Sequence, residues 1–469
     1  MRTCLALWTN MLVDCLSQGT SQVCDDLIRS FRDNHVVNIF DGSNQYHKFL
    51  AKFNPTGVPS DISIYDYEAM LAKALITATG SSLEQQNSLP ISELQFNILS
   101  KLRLRNLTVN FSDELFWSST SILYSYYVHL LDREEIERVI FSEYPHTIYD
   151  YLFYLACFNK CIPCFSVQFI GQLGRTFSYI IDMTINTILP NNHNIIGNRD
   201  CFSDFLGLYS DSLTSYSSSI QSLYETSRHQ TRIESLELAR QGDNGFLVWT
   251  NKQVQALRAY NSLTSKDFQP AKKEFGVFFL QVEPESTVTP LSGYFSNQTY
   301  AVGDFYDICL NSSCVPCVKE HPHQYKGLYP YSSNAHWQSN SSITASKSSE
   351  FYLLLKEKYP KLIFLPINVS PGYLMSCPSY CLTGTLNGTV GLQSIFVEKK
   401  IVEYGLAWYS CHPLVTSRRY NERTNCVESI DSVHNPIIDT IELELSNNPA
   451  AFVANIVAAV DSASIYVIR

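Results

Sequence analysis

The feature that most constrains the fold is a regular alternation of apolar runs and helix-like stretches across residues 275–404. The apolar runs predict strands at 275–280, 315–318, 362–365, 380–382 and 401–404. The intervening stretches predict helices at 298–310, 350–358, around Tyr373 and at 388–396. Strands that alternate with helices form parallel sheets covered on both faces, so this half of the chain predicts a doubly wound α/β domain.

The first half of the chain carries a weaker version of the same pattern. Strand-like runs at 5–8 and 36–40 enclose a stretch of helical spacing at 21–33, which predicts a βαβ opening. The polar, proline-containing segment around residue 270 suggests a domain boundary. We therefore expect two Rossmann-like doubly wound domains, residues 1–270 and 271–445, followed by a C-terminal helix and tail at 446–469.

Composition excludes several classes of protein. The 469 residues are 45% hydrophobic, as in globular proteins, and their net charge of −10 gives no field that attracts nucleic acid. The sequence has no charge-free apolar run of the ~18 residues that a membrane span needs. We expect a cytoplasmic protein.

Cysteine usage points to a reducing compartment. The 14 cysteines are scattered and lack the dense spacing of a disulfide scaffold. Two Cys-x-x-Cys pairs, Cys161 with Cys164 and Cys314 with Cys317, invite a zinc interpretation. However, roughly 150 residues separate the pairs, whereas structural zinc sites draw ligands from closer segments. We therefore predict no metal.

Two stretches predict an anion site. Lys319, Glu320, His321 and Pro322 follow the strand at 315–318, at the carboxyl edge where open α/β sheets bind ligands. Lys319 and His321 offer charge-assisted hydrogen bonds to phosphate, although an ordinary solvated loop is the commoner explanation of an isolated His-Pro.

The second stretch follows the strand at 380–382. Small and hydroxyl residues there open a helix, an arrangement that aims backbone N–H groups at an anion. The predicted anion ligands are Thr383, Gly384, Thr385, Gly388, Thr389 and Gly391.

A third cluster lies in the first half, beyond the predicted strand at 139–141. Glu143, His146 and Asp150 follow this strand at its carboxyl edge. A carboxylate there is suited to act as general base toward a sugar hydroxyl. Asp150 is equally suited to cap the helix that begins beside it, and the sequence leaves both roles open.

These motifs, in their order and spacing, resemble the capsular polysaccharide biosynthesis proteins, a bacterial GT-B glycosyltransferase-like family that includes the Kdo transferases of capsule assembly. The resemblance covers residues 275–412 well and the first 130 residues hardly at all. Beside the stretches already described, it is carried by Glu283-Pro284-Glu285-Ser286, Glu403-Tyr404-Gly405-Leu406 and the Pro145-His146 pair.

The resemblance implies a metal-independent, cofactor-independent transferase that moves Kdo or a related nonulosonic acid from a CMP-linked donor to a glycan or glycolipid acceptor. As in the GT-B fold, it implies two domains that face a cleft, with Glu285 near that cleft. It also implies phosphate contacts for Lys319 and His321 and an acid–base role for Asp150 or Glu143. It also implies peripheral contact with the inner face of the cytoplasmic membrane or with capsule assembly machinery.

The sequence departs from the family pattern at Glu283, where a glutamine is expected, and at Gln393, where an acid is expected. A segment ending at Lys347 is also inserted after the His-Pro pair. Gln393 retains the capacity to hydrogen-bond a donor ribose. Two alternatives therefore remain open: a transferase of the same fold that uses a UDP- or GDP-sugar, and a non-catalytic partner in capsule assembly or export.

Overall fold

A computed structural model describes most of the predicted second domain and separate parts of the first. The described residues are 3–6, 38–41, 63–66, 89–103, 113–141, 144–172, 175–183, 187–188, 244–265, 273–283, 288–321, 324, 347–367, 369–407, 409–410, 412–421 and 424–430. The predicted helices at 21–33 and 446–469 lie outside these ranges. The chain divides into two compact units, each with its own main β-sheet.

The described elements up to residue 188 are seven strands and three helices. They are β1 (Thr3–Ala6), β2 (Asn38–Asp41), β3 (Ser63–Asp66), α1 (Glu93–Arg103), α2 (Asp113–Arg133), β4 (Arg138–Phe141), α3 (Ile148–Asn159), β5 (Cys164–Gln172), β6 (Arg175–Asp182) and β7 (Thr187–Ile188). Helix α1 belongs to the second unit from Leu94 onward.

The sheet of the first unit has the order β1-β4-β5-β6-β7. Strands β1, β4 and β5 are parallel, whereas β6 and β7 are antiparallel. Helix α3 buries an apolar face in which Phe153 contacts Tyr127 of α2, with ring centroids 5.1 Å apart. The predicted strand at 139–141 and the helix around Asp150 are confirmed, while the antiparallel addition was not predicted.

The elements after residue 240 belong to the second unit. They are α4 (Asn244–Leu263), β8 (Phe275–Phe279), α5 (Gln298–Asn311), β9 (Val315–Lys319), α6 (Ser349–Lys358), β10 (Ile363–Leu365), α7 (Pro371–Ser376), β11 (Tyr380–Thr385), α8 (Thr389–Phe396), β12 (Lys400–Glu403), β13 (Val415–Asn421) and β14 (Cys426–Ile430).

The sheet of the second unit has the order β10-β9-β8-β11-β12-β13-β14. Its neighbouring strands are parallel up to β13, and β14 joins antiparallel. The chain runs from β8 outward through β9 to β10, then returns to the centre and continues from β11 to the opposite edge. This topology confirms the predicted doubly wound α/β fold and places the switch in direction between β8 and β11.

Helices cover both faces of this sheet, as a doubly wound fold requires. On one face, Phe305 of α5 and Tyr352 of α6 pack in a core with Phe278 of β8. On the other face, Leu374 of α7 and Val390 of α8 pack in a separate core with Phe279. Each large apolar side chain so buried contributes roughly 1.5–3 kcal/mol, which explains why short helices suffice to close the layers.

Helix α4 also packs in the second unit, although it precedes the predicted boundary at residue 270. Its Tyr260 is fully buried, and the hydroxyl donates to the Leu365 carbonyl at 2.6 Å and accepts from the Glu320 N–H at 2.9 Å. The domain limits at 270 and 445 stay predictions. Among the described helices, none is both long and apolar enough to cross a bilayer.

Candidate functional site

The candidate site lies at the carboxyl edge of the second sheet, where the chain reverses its direction of travel between β8 and β11. Gln281, which follows β8, donates from Nε2 to Oγ1 of Thr385, the last residue of β11, at 3.1 Å. The Gly388 N–H donates to the same Oγ1 at 3.2 Å. Because ligands of open α/β folds bind in the crevice at this switch point, Thr385 holds together the two loops that line such a crevice.

The N-terminus of α8 faces this edge. Gly388 is its N-cap, with no side-chain capping hydrogen bond, and Thr389, its first residue, is exposed. A Cβ at Gly388 would lie 2.1 Å from Gln281 Nε2, so only glycine allows this approach. First-turn N–H groups without a capping side chain are ready donors to an anion.

Gly391 makes room for a neighbouring side chain at the start of α8, and its contact with an anion stays a prediction. A Cβ there would lie 2.3 Å from the hydroxyl oxygen of Tyr409, and that hydroxyl donates to the Gly388 carbonyl. Tyr409 therefore anchors the start of α8 from behind, and the glycine is the residue that admits it.

Lys319 brings a cation to the same edge, at the end of β9. Its side chain is only 2% exposed, and its single hydrogen bond in the described part of the chain goes to the Glu320 carbonyl at 3.2 Å. Burial lowers the pKa of Lys319 to about 8, although the nearby Glu320 charge acts to raise it. An ammonium group has three N–H donors, so most of its capacity is available for an anion.

The Glu320 side chain lies on the face of the sheet opposite to Lys319, and both of its carboxylate oxygens accept hydrogen bonds. Its Oε1 accepts from Lys347 Nζ at 2.8 Å and from the His321 N–H at 2.7 Å, and its Oε2 accepts from the Tyr352 hydroxyl at 2.5 Å. Both Glu320 and Lys347 side chains are completely buried. The predicted contact of Glu320 with a donor stays a prediction, and its observed role is to pair with Lys347.

Lys347 joins the ends of two strands, and no motif in the sequence singled it out. Besides Glu320, its Nζ donates to the Gln281 carbonyl at 2.6 Å and to Gln324 Oε1 at 3.3 Å. It stands at the end of the inserted segment, immediately before Ser348, the N-cap of α6. The helix N-cap at Ser348 is the one feature of the local sequence that indicates a defined position for Lys347.

Amide side chains hold the backbone after β8. Gln298 accepts from the Gln281 N–H at 2.8 Å and donates to the Gln281 carbonyl at 3.1 Å and to Glu283 Oε1 at 2.7 Å. Gln324 accepts from the Glu283 N–H at 2.9 Å and donates to its carbonyl at 3.0 Å. Glu283, the first departure from the family pattern, is thus part of the support of the site.

The predicted strand at 380–382 is confirmed but is longer than predicted, because β11 extends to Thr385. The Thr383 hydroxyl contacts Ser394 Oγ at 2.5 Å and also the Tyr380 hydroxyl, inside the core. A Cβ at Gly384 would lie 2.6 Å from the Phe305 ring. Contacts of Thr383 and Gly384 with a donor stay predictions, since what is observed for both is packing.

Other predicted residues take varied positions. His321 and Gln393 are both partly buried, His321 after β9 and Gln393 within α8. The predicted site residues Glu143, Glu285 and Pro322 lie outside the described residues.

In the first unit, Asp150 caps α3. Its Oδ1 accepts from the Thr147 N–H at 2.7 Å and the Thr147 hydroxyl at 2.6 Å, and its Oδ2 accepts from the His146 N–H at 3.0 Å. Burial raises the pKa of Asp150 to about 6, despite the opposing effects of His146 and of these hydrogen bonds. The capping role is confirmed, while the role of general base stays a prediction, as does any catalytic role of His146.

No protein-family model and no curated protein matches the sequence. Among solved structures, the chain is similar to KpsC from Thermosulfurimonas dismutans, a β-Kdo 2,4 transferase. The match has 11% identity, a TM-score of 0.29 and coverage of 65% of this chain and 87% of that one. The β-Kdo 2,7 transferase of KpsC from the same organism gives 11% identity, a TM-score of 0.26 and coverage of 70% and 80%.

A UDP-GlcNAc 2-epimerase from Rickettsia bellii gives 11% identity, a TM-score of 0.22 and coverage of 100% of this chain and 98% of that one. These matches include Kdo transferases, the proteins that the motifs resemble.

Proposed function

We propose that this protein is a glycosyltransferase of capsular or lipopolysaccharide biosynthesis, which takes Kdo or a related nonulosonic acid from a CMP-linked donor. The donor phosphate binds at the carboxyl edge of the second sheet, and a glycan or glycolipid accepts the sugar. The observation that carries the proposal is Lys319, a buried cation at the ligand-binding edge of a doubly wound sheet with one hydrogen bond to a backbone carbonyl.

Burial of the Lys319 ammonium group costs free energy. A buried ammonium loses solvation, and the lowered pKa of Lys319 expresses this cost. A phosphate beside Lys319 supplies a compensating negative charge and also acceptors for the remaining ammonium N–H groups. The uncapped first turn of α8 adds N–H donors from the other side of the switch point.

This arrangement suits the departure of CMP from a sugar. As the bond to the donor sugar breaks, negative charge develops on the phosphate, and a fixed cation and oriented N–H groups stabilise it more than they stabilise the ground state. In the proposed mechanism, His321 adds a further contact to the phosphate, and Asp150 or Glu143 removes the proton of the acceptor hydroxyl. Glu285 remains a proposed contributor to the cleft.

The test measures nucleotide binding by the whole chain. Isothermal titration and thermal unfolding with CMP, UDP, GDP and inorganic phosphate are compared for wild type, Lys319→Met and the control Lys361→Met, which removes an exposed lysine. At ~100 Kd of a ligand that binds only the folded protein, stability rises by roughly 2.7 kcal/mol.

We expect stabilisation by CMP in wild type and in Lys361→Met, and its loss in Lys319→Met. Stabilisation by UDP or GDP alone would replace the CMP donor with one of those nucleotides. A folded wild type that binds none of the four ligands would overturn the proposal in favour of a non-catalytic assembly role. Release of CMP from CMP-Kdo in the presence of acceptor then tests transfer itself.

A further inference from the structure

A second group of ligand-type side chains lies at the amino edge of the same sheet, at the opposite end of the strands from Lys319. Glu274 directly precedes β8, Cys314 directly precedes β9, and Cys381 is the second residue of β11. A carboxylate oxygen and the two sulfurs lie within 4.8 Å of one another, and the sulfurs are 3.0 Å apart.

The two thiols come from strands on either side of β8. Cys381 Sγ lies 3.3 Å from the Phe275 carbonyl oxygen, so the pair meets over the start of β8. The sulfurs, 3.0 Å apart, are farther apart than the ~2.05 Å of a disulfide bond, and both cysteines are free thiols.

A metal ion can join two thiols that lie this close. Zinc binds thiolate at about 2.3 Å, which separates two sulfurs of a tetrahedral site by about 3.8 Å. Cys314 and Cys381 would reach that separation by opening by less than about 1 Å, within the range of side-chain rotation. Glu274, directly before the intervening strand β8, has a carboxylate oxygen within 4.8 Å of both sulfurs.

We propose that Glu274, Cys314 and Cys381 bind a soft divalent cation, zinc by the chemistry of the ligands, with water as the fourth ligand. Two thiolates and a carboxylate select zinc over magnesium or calcium. Glu274 is exposed and Cys381 half-buried, so both the ion and the water can enter from solvent. The site is separate from the proposed phosphate site and does not depend on it.

This proposal departs from the prediction of no metal, and its ligands are not those of the two Cys-x-x-Cys pairs in the sequence. Cys314 and Cys317 belong to the cores on opposite faces of the sheet, because an odd spacing in a strand reverses the side chain. Cys161 is exposed while Cys164 is buried at the start of β5. The ligand that completes the site, Cys381, lies outside both Cys-x-x-Cys pairs and close to Cys314 only in the fold.

Metal binding must displace thiol protons. Because the metal binds the thiolate, its affinity should increase with pH and protons should be released on binding.

The experiment uses the whole protein, fully reduced and freed of metal with a chelator. Cobalt(II) serves as the probe, because its thiolate complexes absorb in the near ultraviolet, and zinc is then added as competitor. We expect one cobalt per chain, displaced by zinc, and loss of the absorption band in Cys314→Ser and Cys381→Ser. Glu274→Gln should weaken binding at least about tenfold, the loss typical of a perturbed metal shell.

Two matched controls, Cys377→Ser and Cys426→Ser, remove thiols outside the cluster and should retain the band. If the cysteine variants fail to fold, alkylation of the wild type decides instead, because zinc should protect the peptides that carry Cys314 and Cys381. Absence of the band in folded wild type, its persistence in Cys314→Ser, or a disulfide between Cys314 and Cys381 in the protein as isolated would overturn the proposal.

Discussion

Replacing Lys347 with methionine tests the polar network beneath the candidate phosphate site. Methionine keeps an unbranched side chain but removes the ammonium that pairs with Glu320 at 2.8 Å, both side chains being completely buried. It also leaves the Gln281 carbonyl without this donor. Removal of one partner of a buried ion pair costs about 3–5 kcal/mol, because the remaining charge is uncompensated.

The double variant Lys347→Met, Glu320→Gln separates charge from packing. The glutamine is neutral, and its carbonyl oxygen can still accept from the Tyr352 hydroxyl. We therefore expect the double variant to be more stable than Lys347→Met alone. Such recovery is a direct measure of coupling between the two residues.

Hydrogen exchange followed by mass spectrometry is the appropriate assay, since the chain has two units and global unfolding is not a single transition. A loss of 3–5 kcal/mol accelerates exchange in β8 and β9 by about two to four orders of magnitude, at 1.4 kcal/mol per factor of ten. The exposed control Lys361→Met should change the exchange energies by less than about 0.5 kcal/mol. Unchanged exchange in Lys347→Met, or no recovery in the double variant, would refute the reasoning.

Three further predictions concern separate parts of the chain. Affinity for phosphate or CMP should fall by up to about tenfold per pH unit above pH 8, because Lys319, with a pKa of about 8, must then take up a proton on binding. Titration calorimetry at pH 7, 8 and 9 should show this pH dependence in wild type and none in Lys319→Met. Gly384→Ala should destabilise the second unit by about 1–3 kcal/mol, because its methyl group meets the Phe305 ring; unchanged exchange in β11 would contradict the packing argument. Asp150→Ala should cost about 0.5–2 kcal/mol through loss of the α3 cap, and exchange in α3 as slow as in wild type would contradict it.

Local patterns were sufficient to predict the centre of the second sheet. The strands from β8 to β12 and the helices between them are short apolar runs and amphipathic stretches separated by turn residues, and these signals lie within each segment. The β13–β14 hairpin was missed because β13 contains Arg418 and Arg419, which give it a polar appearance. These arginines are held by Asp304 and Glu403, at 2.6 and 2.9 Å, and neither contact is visible along the sequence.

The candidate site was only partly predictable for the same reason. Lys319 was recognisable because it ends an apolar run at the edge where ligands bind. Lys347 was not, since its partner Glu320 is 27 residues away and the pairing depends on the fold. The extent of β11 was misjudged because Thr383 and Thr385 resemble loop residues, whereas their hydroxyls have partners only in the folded sheet.

The contact between Gln324 and Lys347 has a consequence for how this chain tolerates changes in length. These residues mark the two ends of the 325–346 segment, and Lys347 Nζ lies 3.3 Å from Gln324 Oε1. With its ends fixed to each other and to β8, a connecting segment acts as a closed loop, and doubling its length costs only about 0.6 kcal/mol of closure entropy. Residues can therefore be gained or lost between these two anchors over evolutionary time while the geometry at Lys319 and Gln281 is preserved.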